Sequence, residues 1–185
     1  MKVARATLKS CACYSQSKHI NAAKLEKESP DDYERRTWKE RLHVTTDGRV
    51  FIPPMSFKNS LTEVAKFLSM KIKGQRNATY TKHFTAGVLV TEPLVLQTKA
   101  DDVQGEWLFV PADGVRGSGK RVMKCFPRID EWHGDVLFHV LDDTITEPVF
   151  EEHLRNAGQF IGIGRFRPMN NGYYGRFNVQ KISWM

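Results

Sequence analysis

The chain has 185 residues, 28 Lys and Arg against 21 Asp and Glu, a net charge of +7, and 41% hydrophobic residues. That length fits a single domain, 1–185, with elaborations, and needs neither disulfide nor metal to bury a core; the hydrophobic content excludes a disordered polymer. The basic excess draws polyanions, provided that the charge is localised. Cys11, Cys13 and Cys125 form no disulfide framework, and Cys11-x-Cys13 lacks zinc-ligand spacing, so reduced thiols and no metal or other cofactor are expected. The start MKVARATLKS lacks a signal peptide's apolar core, and no apolar run approaches the ~20 residues of a membrane span. A cytoplasmic protein with no membrane partner is expected.

Residues 2–10 alternate, with Ala4, Ala6 and Leu8 toward one face and Val3, Arg5, Thr7 and Lys9 toward the other, which predicts a half-buried strand with a basic outer face. Residues 14–48 are polar and read as an insertion, with a short helix over 31–41 capped by Ser29 or Asp31. A strand, RVFIP, ends at Pro53 and Pro54. SFKNSLTEVAKFLSM, 56–70, is the clearest helix: Ser56 suits the N-cap, and Phe57, Leu61, Val64, Ala65 and Leu68 fall on one stripe. GVLVTEPLVL reads as one strand or two, interrupted at Pro93, and EWLFVP and GDVLFHVL as further strands, the latter apolar enough for burial on both faces. Residues 144–157 predict a second helix, capped by Thr146 and stopped by Gly158. In the last strand, YGRFNVQKISWM, the apolar positions switch from odd to even, which predicts a bulge near Gln180. Two helices over a mostly antiparallel sheet make an α+β sandwich, whose commonest small form is the ferredoxin-like, RRM-like fold.

Two segments concentrate chemistry. GVRGSGK, 114–120, has phosphate-loop spacing, but Arg121 stands where the Mg²⁺-binding hydroxyl belongs, which disfavours a nucleotidase. The run from Arg116 to Arg128 carries Arg116, Lys120, Arg121, Lys124 and Arg128 and no acid. Alone, such a run is ordinarily a solvated hairpin tip; paired with a second basic segment, it fits a phosphate backbone. The second segment is FIGIGRFRPMNNGYYGRF, 160–177. Arg165, Arg167 and Arg176 supply charge, Phe166, Tyr173 and Tyr174 supply stacking faces, and glycines permit close approach, while Phe160, Ile161 and Ile163 read as core. The six histidines are scattered, with no catalytic or metal spacing; His139 reads as a sheet histidine, and His19, His43 or His83 would be the available bases.

VFIPPMSFKNSLTEVAKFL, 50–68, resembles the strand-to-helix motif of the CRISPR-associated RAMP superfamily, and IGIGRFRPMNNGYYGRF resembles the glycine-rich loop before that superfamily's last strand. The likeness is nearest to effector-complex backbone subunits, as a divergent or minimal member. Pro54 and Met55 stand where glycine and serine are usual, and Pro168 to Asn171 lengthen the loop. The resemblance implies a ferredoxin-like core with insertions at about 14–48 and 94–128, the second a thumb-like hairpin. It implies a non-catalytic role in antiviral defence: binding single-stranded RNA, in preference to DNA, as a head-to-tail filament of copies, with other CRISPR effector subunits as further partners. Lys58 and Asn59 would approach phosphates at the first helix's positive end. Gly162, Gly164, Arg165, Gly172 and Gly175 would form the loop, and Arg5, Lys9 and Lys18 would add charge. The alternatives are a metal-independent endoribonuclease, which shares the loop, and a structural or inhibitory partner that mimics a backbone subunit.

Overall fold

The computed structural model describes every residue except Asp113, Arg116 and Ser118. In chain order its elements are β1 (Lys2–Ser10), β2 (Tyr14–Ser15), α1 (Pro30–Thr37), β3 (Arg49–Ile52), α2 (Pro54–Leu68), α3 (Thr81–Gly87), β4 (Val88–Leu89), β5 (Leu94–Lys99), β6 (Gln104–Pro111), β7 (Arg121–Ile129), β8 (His133–Val140), α4 (Glu147–Asn156) and β9 (Phe177–Trp184).

The central sheet has the order β4-β8-β1-β9, with every neighbour antiparallel. Stripped of insertions, the path β1-α2-β4 and then β8-α4-β9 is two interlocked split βαβ units. That is the ferredoxin-like topology. β1 alternates as expected: Ala4, Ala6 and Leu8 are fully buried, while Arg5 and Lys9 are exposed on the outer face. Alanines at this central strand let α2 and α4 approach closely. Phe57, Leu61, Val64 and Ala65 of α2 and Phe150 and Leu154 of α4 complete the core, each large apolar group contributing roughly 1.5–3 kcal/mol relative to exposure.

Several boundaries differ from the sequence reading. α2 begins at Pro54 with Pro53 as its N-cap, so Ser56 lies in the first turn. Proline serves there because the first helical N–H has no intrahelical acceptor. Gly158 does not stop α4; the chain runs on in a π-turn over Ala157–Ile161 and leaves at Gly162. A Cβ at Gly158 would lie 2.1 Å from the Phe177 carbonyl oxygen, so the glycine lets this turn seat on β9. β8 is buried on one face only, with half-buried or exposed residues alternating on the other. The expected bulge is present: Thr7 faces Lys181 while Leu8 faces Val179, leaving Gln180 as the extra residue. Arg155 also reaches β9, donating from Nη1 to the Val179 carbonyl.

The two insertions meet one another. β6 and β7 form the thumb-like hairpin, and β2 pairs with the base of β7, Tyr14 opposite Ile129. β5 belongs elsewhere, pairing with β3. α1, capped by Ser29, lies on the hairpin and inserts Glu34, whose side chain is fully buried. Arg41 at 2.7 Å, Lys124 at 2.9 Å and the Cys125 N–H at 2.8 Å surround it. Burial pushes this carboxyl's pKa up, but those hydrogen bonds outweigh it and hold the group below its ordinary value.

Candidate nucleic-acid interface

The glycine-rich loop leaves the π-turn, folds back on itself and is stitched to β2. Ile163 N–H donates to the Gly175 carbonyl at 3.0 Å, Tyr174 N–H to Phe166 at 3.0 Å, Arg165 N–H to Ser15 at 2.9 Å, and Gly175 N–H to Cys13 at 2.7 Å. Two glycines make this possible. A Cβ at Gly164 would stand 2.4 Å from the Tyr14 ring, and one at Gly175, where φ is +69°, would stand 1.8 Å from the Ile163 carbonyl oxygen. Gly162 and Gly172 are enclosed likewise, by Pro168 and by the Phe166 carbonyl. The close approach that the glycines permit is therefore made by the chain itself, a correction to the expectation that they admit a ligand.

The charged and aromatic residues divide in two. Arg165 turns inward, its guanidinium 3.5 Å from the centre of the Phe126 ring on β7. Tyr174 is 5% exposed and donates its hydroxyl to Glu106 of β6 at 2.7 Å; burial, and then that carboxylate, push its pKa up. Both residues fasten the loop to the hairpin, so Tyr174 offers no open stacking face. Phe166 and Tyr173 turn outward, 37% and 57% exposed, their rings 5.4 Å apart at 68°. Phe166 has φ +56°, a left-handed conformation that a bulky residue rarely adopts. Arg167 is half-buried beside them, with an Nε that has no hydrogen-bond partner among the described residues. Arg176 lies apart, donating to the Gln159 carbonyl in a groove along β9 that it shares with Arg155.

Between the loop, β2 and the start of α2 lies a polar notch of about 190 Å³, lined in part by Lys18, His43, Ser56, Gly164 and Arg165. The two segments singled out by the resemblance thus meet across one depression, at the positive end of α2. Tyr14 forms part of its wall, its hydroxyl pKa pushed up to about 12 by burial. His43 is held there because its backbone N–H donates to Gln16 Oε1 at 2.6 Å, while Gln16 Nε2 donates to the Phe51 carbonyl. Burial, and then the Lys18 charge, lower the imidazole pKa, so His43 is neutral at pH 7. Its place in the notch depends on contacts across 27 residues of chain, which no local pattern carries.

The other expected contacts are dispersed. Lys58 does not face outward to a phosphate: its Nζ donates to the Phe84 and Thr85 carbonyls at 2.6 and 2.7 Å, tying α2 to α3. Asn59 is exposed, and Arg5 and Lys9 lie on the sheet's outer face. On the hairpin, Arg121 donates to the Phe109 carbonyl, Lys124 is paired with Glu34, and Lys120 is exposed. Arg116 lies outside the described residues.

No family model matches the chain, and no curated protein matches it. Among solved structures, a crystal structure of Cmr6 from Pyrococcus furiosus superposes with a TM-score of 0.51 over 97% of this chain and 99% of that one, at 13% identity. The likeness is one of fold. The match spans nearly the whole of both chains, so it takes in the insertions as well as the ferredoxin-like core. Among the described residues, no helix is long and apolar enough to cross a membrane, and no group of three or more His, Cys, Asp or Glu could hold a metal ion.

Proposed function

We propose that the chain is a CRISPR-associated, non-catalytic subunit that holds single-stranded RNA across the notch and the outer face of the glycine-rich loop. The observation that carries this reading is the meeting of the two segments across one basic depression. A phosphate fits the notch against Lys18 and the positive end of α2, with the Arg165 charge, held on the Phe126 ring, behind it. Phe166 and Tyr173, in edge-to-face contact with each other and both exposed, turn their outer ring faces to unpaired bases. The RAMP-like fold supports the CRISPR context, and with it a place among copies of itself and other effector subunits. Binding of an unstructured RNA, read by fluorescence anisotropy, should weaken steeply with salt and exceed binding of the same sequence as DNA. Phe166→Leu and Tyr173→Leu should each weaken it by roughly 5- to 150-fold, the equivalent of ~1–3 kcal/mol per stacked base. Lys18→Gln should weaken binding and flatten the salt dependence. Salt-insensitive binding, or binding indifferent to all three changes, would sink the assignment.

His43 favours a second reading. A neutral imidazole in the notch beside two cations is placed to act as the general base of a metal-independent endoribonuclease. Incubation with labelled hairpin RNA in EDTA separates the two: a cyclic-phosphate product, lost in His43→Ala, would establish the enzyme.

A further inference from the structure

A further acid-free basic stretch lies outside both the loop and the hairpin. From Val64 to Thr91 the sequence carries Lys66, Lys71, Lys73, Arg76 and Lys82 and not one Asp or Glu. All five are exposed. Lys66 is paired with Glu63 at 2.8 Å; among the described residues the other four have no carboxylate within salt-bridge distance.

These cations sit on a rigid support. Lys71 and Thr79 form a β-bridge, Ile72 N–H donates to the Ala78 carbonyl at 2.9 Å, and Tyr80 N–H donates to the Met70 carbonyl at 3.1 Å. Ile72 and Tyr80 are buried beneath the turn, and Thr81 Oγ1 ties the start of α3 to the Ala65 carbonyl. Beside the turn, α3 frames a shallow depression of about 630 Å³ lined by threonines, Lys82 and two alanines whose small side chains leave it open. The threonine hydroxyls donate within the protein, Thr79 to Thr81 Oγ1, Thr81 to the Ala65 carbonyl and Thr85 to the Thr81 carbonyl, so it is the Lys82 ammonium that the trough offers to phosphate oxygens.

The turn itself carries no apolar anchor: Phe67 and Leu89, both exposed, bound the segment, and no large apolar side chain between them is exposed. Protein interfaces centre on buried aromatic or aliphatic anchors and are depleted of lysine.

We propose that the turn at 70–80 and α3 form a second contact for the sugar-phosphate backbone of single-stranded RNA, reached by the strand beyond the loop. This rests on reading the chain as an RNA-binding protein. The notch lies at the start of α2 and the turn follows its end, so 15 residues of helix, about 22 Å, separate them. That exceeds two Debye lengths at physiological salt, so the two contacts act independently.

Length-dependent binding tests it. The quadruple variant Lys71→Gln, Lys73→Gln, Arg76→Gln, Lys82→Gln is compared with the unaltered protein on an RNA of about 4 nucleotides, too short to reach both contacts, and one of about 30, across a salt series. A melting curve first establishes that the variant is folded, as exposed substitutions should leave it. The expected result is unchanged binding of the short RNA and at least roughly tenfold weaker binding of the long one. The slope of log K against log salt should fall by roughly 2 to 3 for four lost phosphate contacts. Long-RNA affinity and slope that match the unaltered protein would overturn the proposal, and would leave the patch to an acidic protein surface. If the unaltered protein binds neither RNA, the reading of the notch and loop fails first.

Discussion

The glycine-rich loop and the basic turn at 70–80 are opposites. The loop is conspicuous in sequence, yet its glycines are filled by the chain's own atoms, and Arg165 and Tyr174 are engaged by the hairpin. The turn reads as an ordinary polar connection, yet Lys71, Lys73 and Arg76 stand exposed with no carboxylate partner among the described residues. The lesson is that a charge or a ring serves a ligand only where the fold gives it no internal partner. A motif can be distinctive because it builds a support rather than because it touches anything.

The largest expected effect probes that support. Gly175→Ala places a methyl 1.8 Å from the Ile163 carbonyl oxygen at a φ of +69°, and should cost about 3 kcal/mol or more. Its thermal midpoint should fall by roughly 6–12 °C. Gly74→Ala in the basic turn also has positive φ but meets nothing within 4 Å, and should cost only about 1 kcal/mol. Equal shifts in the two melting curves would break the comparison.

Next is the inward half of the loop's aromatic set. Tyr174→Phe removes a hydrogen bond to the Glu106 carboxylate and should destabilise by about 1.5–3 kcal/mol in denaturant titrations. Tyr173→Leu, at an exposed ring, should stay within about 0.5 kcal/mol while it weakens RNA binding. A stability loss at Tyr173 equal to that at Tyr174 would erase the division between support and surface.

Acid provides a smaller test on the helix layer. His153 is fully buried between Tyr80 and Phe84, and burial lowers its pKa against the opposing effect of its hydrogen bond to the Val149 carbonyl. The unfolded chain therefore takes up a proton, near the ordinary pKa of about 6.5, before the folded one does. His153 contributes no pH-dependent loss above that value, and stability should decline as pH falls below it. His153→Leu should flatten this part of a melting-temperature profile. An unchanged slope would assign the acid sensitivity to other groups, His43 first. The smallest expected effect is on stability in the quadruple variant of the basic turn, within about 0.5 kcal/mol for each surface change.

How much of this was legible depends on the range of the contacts involved. β1, the stripe of α2 and the bulge at Gln180 follow from periodicities of two and 3.6, which a single chain displays directly. The run from Arg116 to Arg128 reads as a basic loop, whereas from Arg121 onward it is β7. Lys124 is satisfied by Glu34, 90 residues away, and Pro127 sits where β7 leaves its pairing with β2 and becomes an edge, the place where strands tolerate proline. α3 is seven residues rich in threonine, too short and weak to form without Lys58 and Phe150 packed against it. In the site, Lys18, Gly164 and Arg165 line one notch, and Phe166 and Tyr173 face outward. The inward turn of Tyr174 and the placement of His43 were illegible, because each depends on a residue far along the chain.

The seat of the π-turn against Phe177, the reach of Arg155 to Val179 and the extra residue at Gln180 together have a consequence for how the molecule meets its neighbours. Open β-edges are templates onto which other strands add, and aggregation commonly begins there. Here one flank of the sheet is stoppered over three or four residues, and the opposite flank, β4, is only two residues long. Copies packed along a common strand would therefore meet through side chains rather than by extending one another's ladders. That guarding belongs to the central sheet, since β6 keeps an eight-residue outer edge on the hairpin.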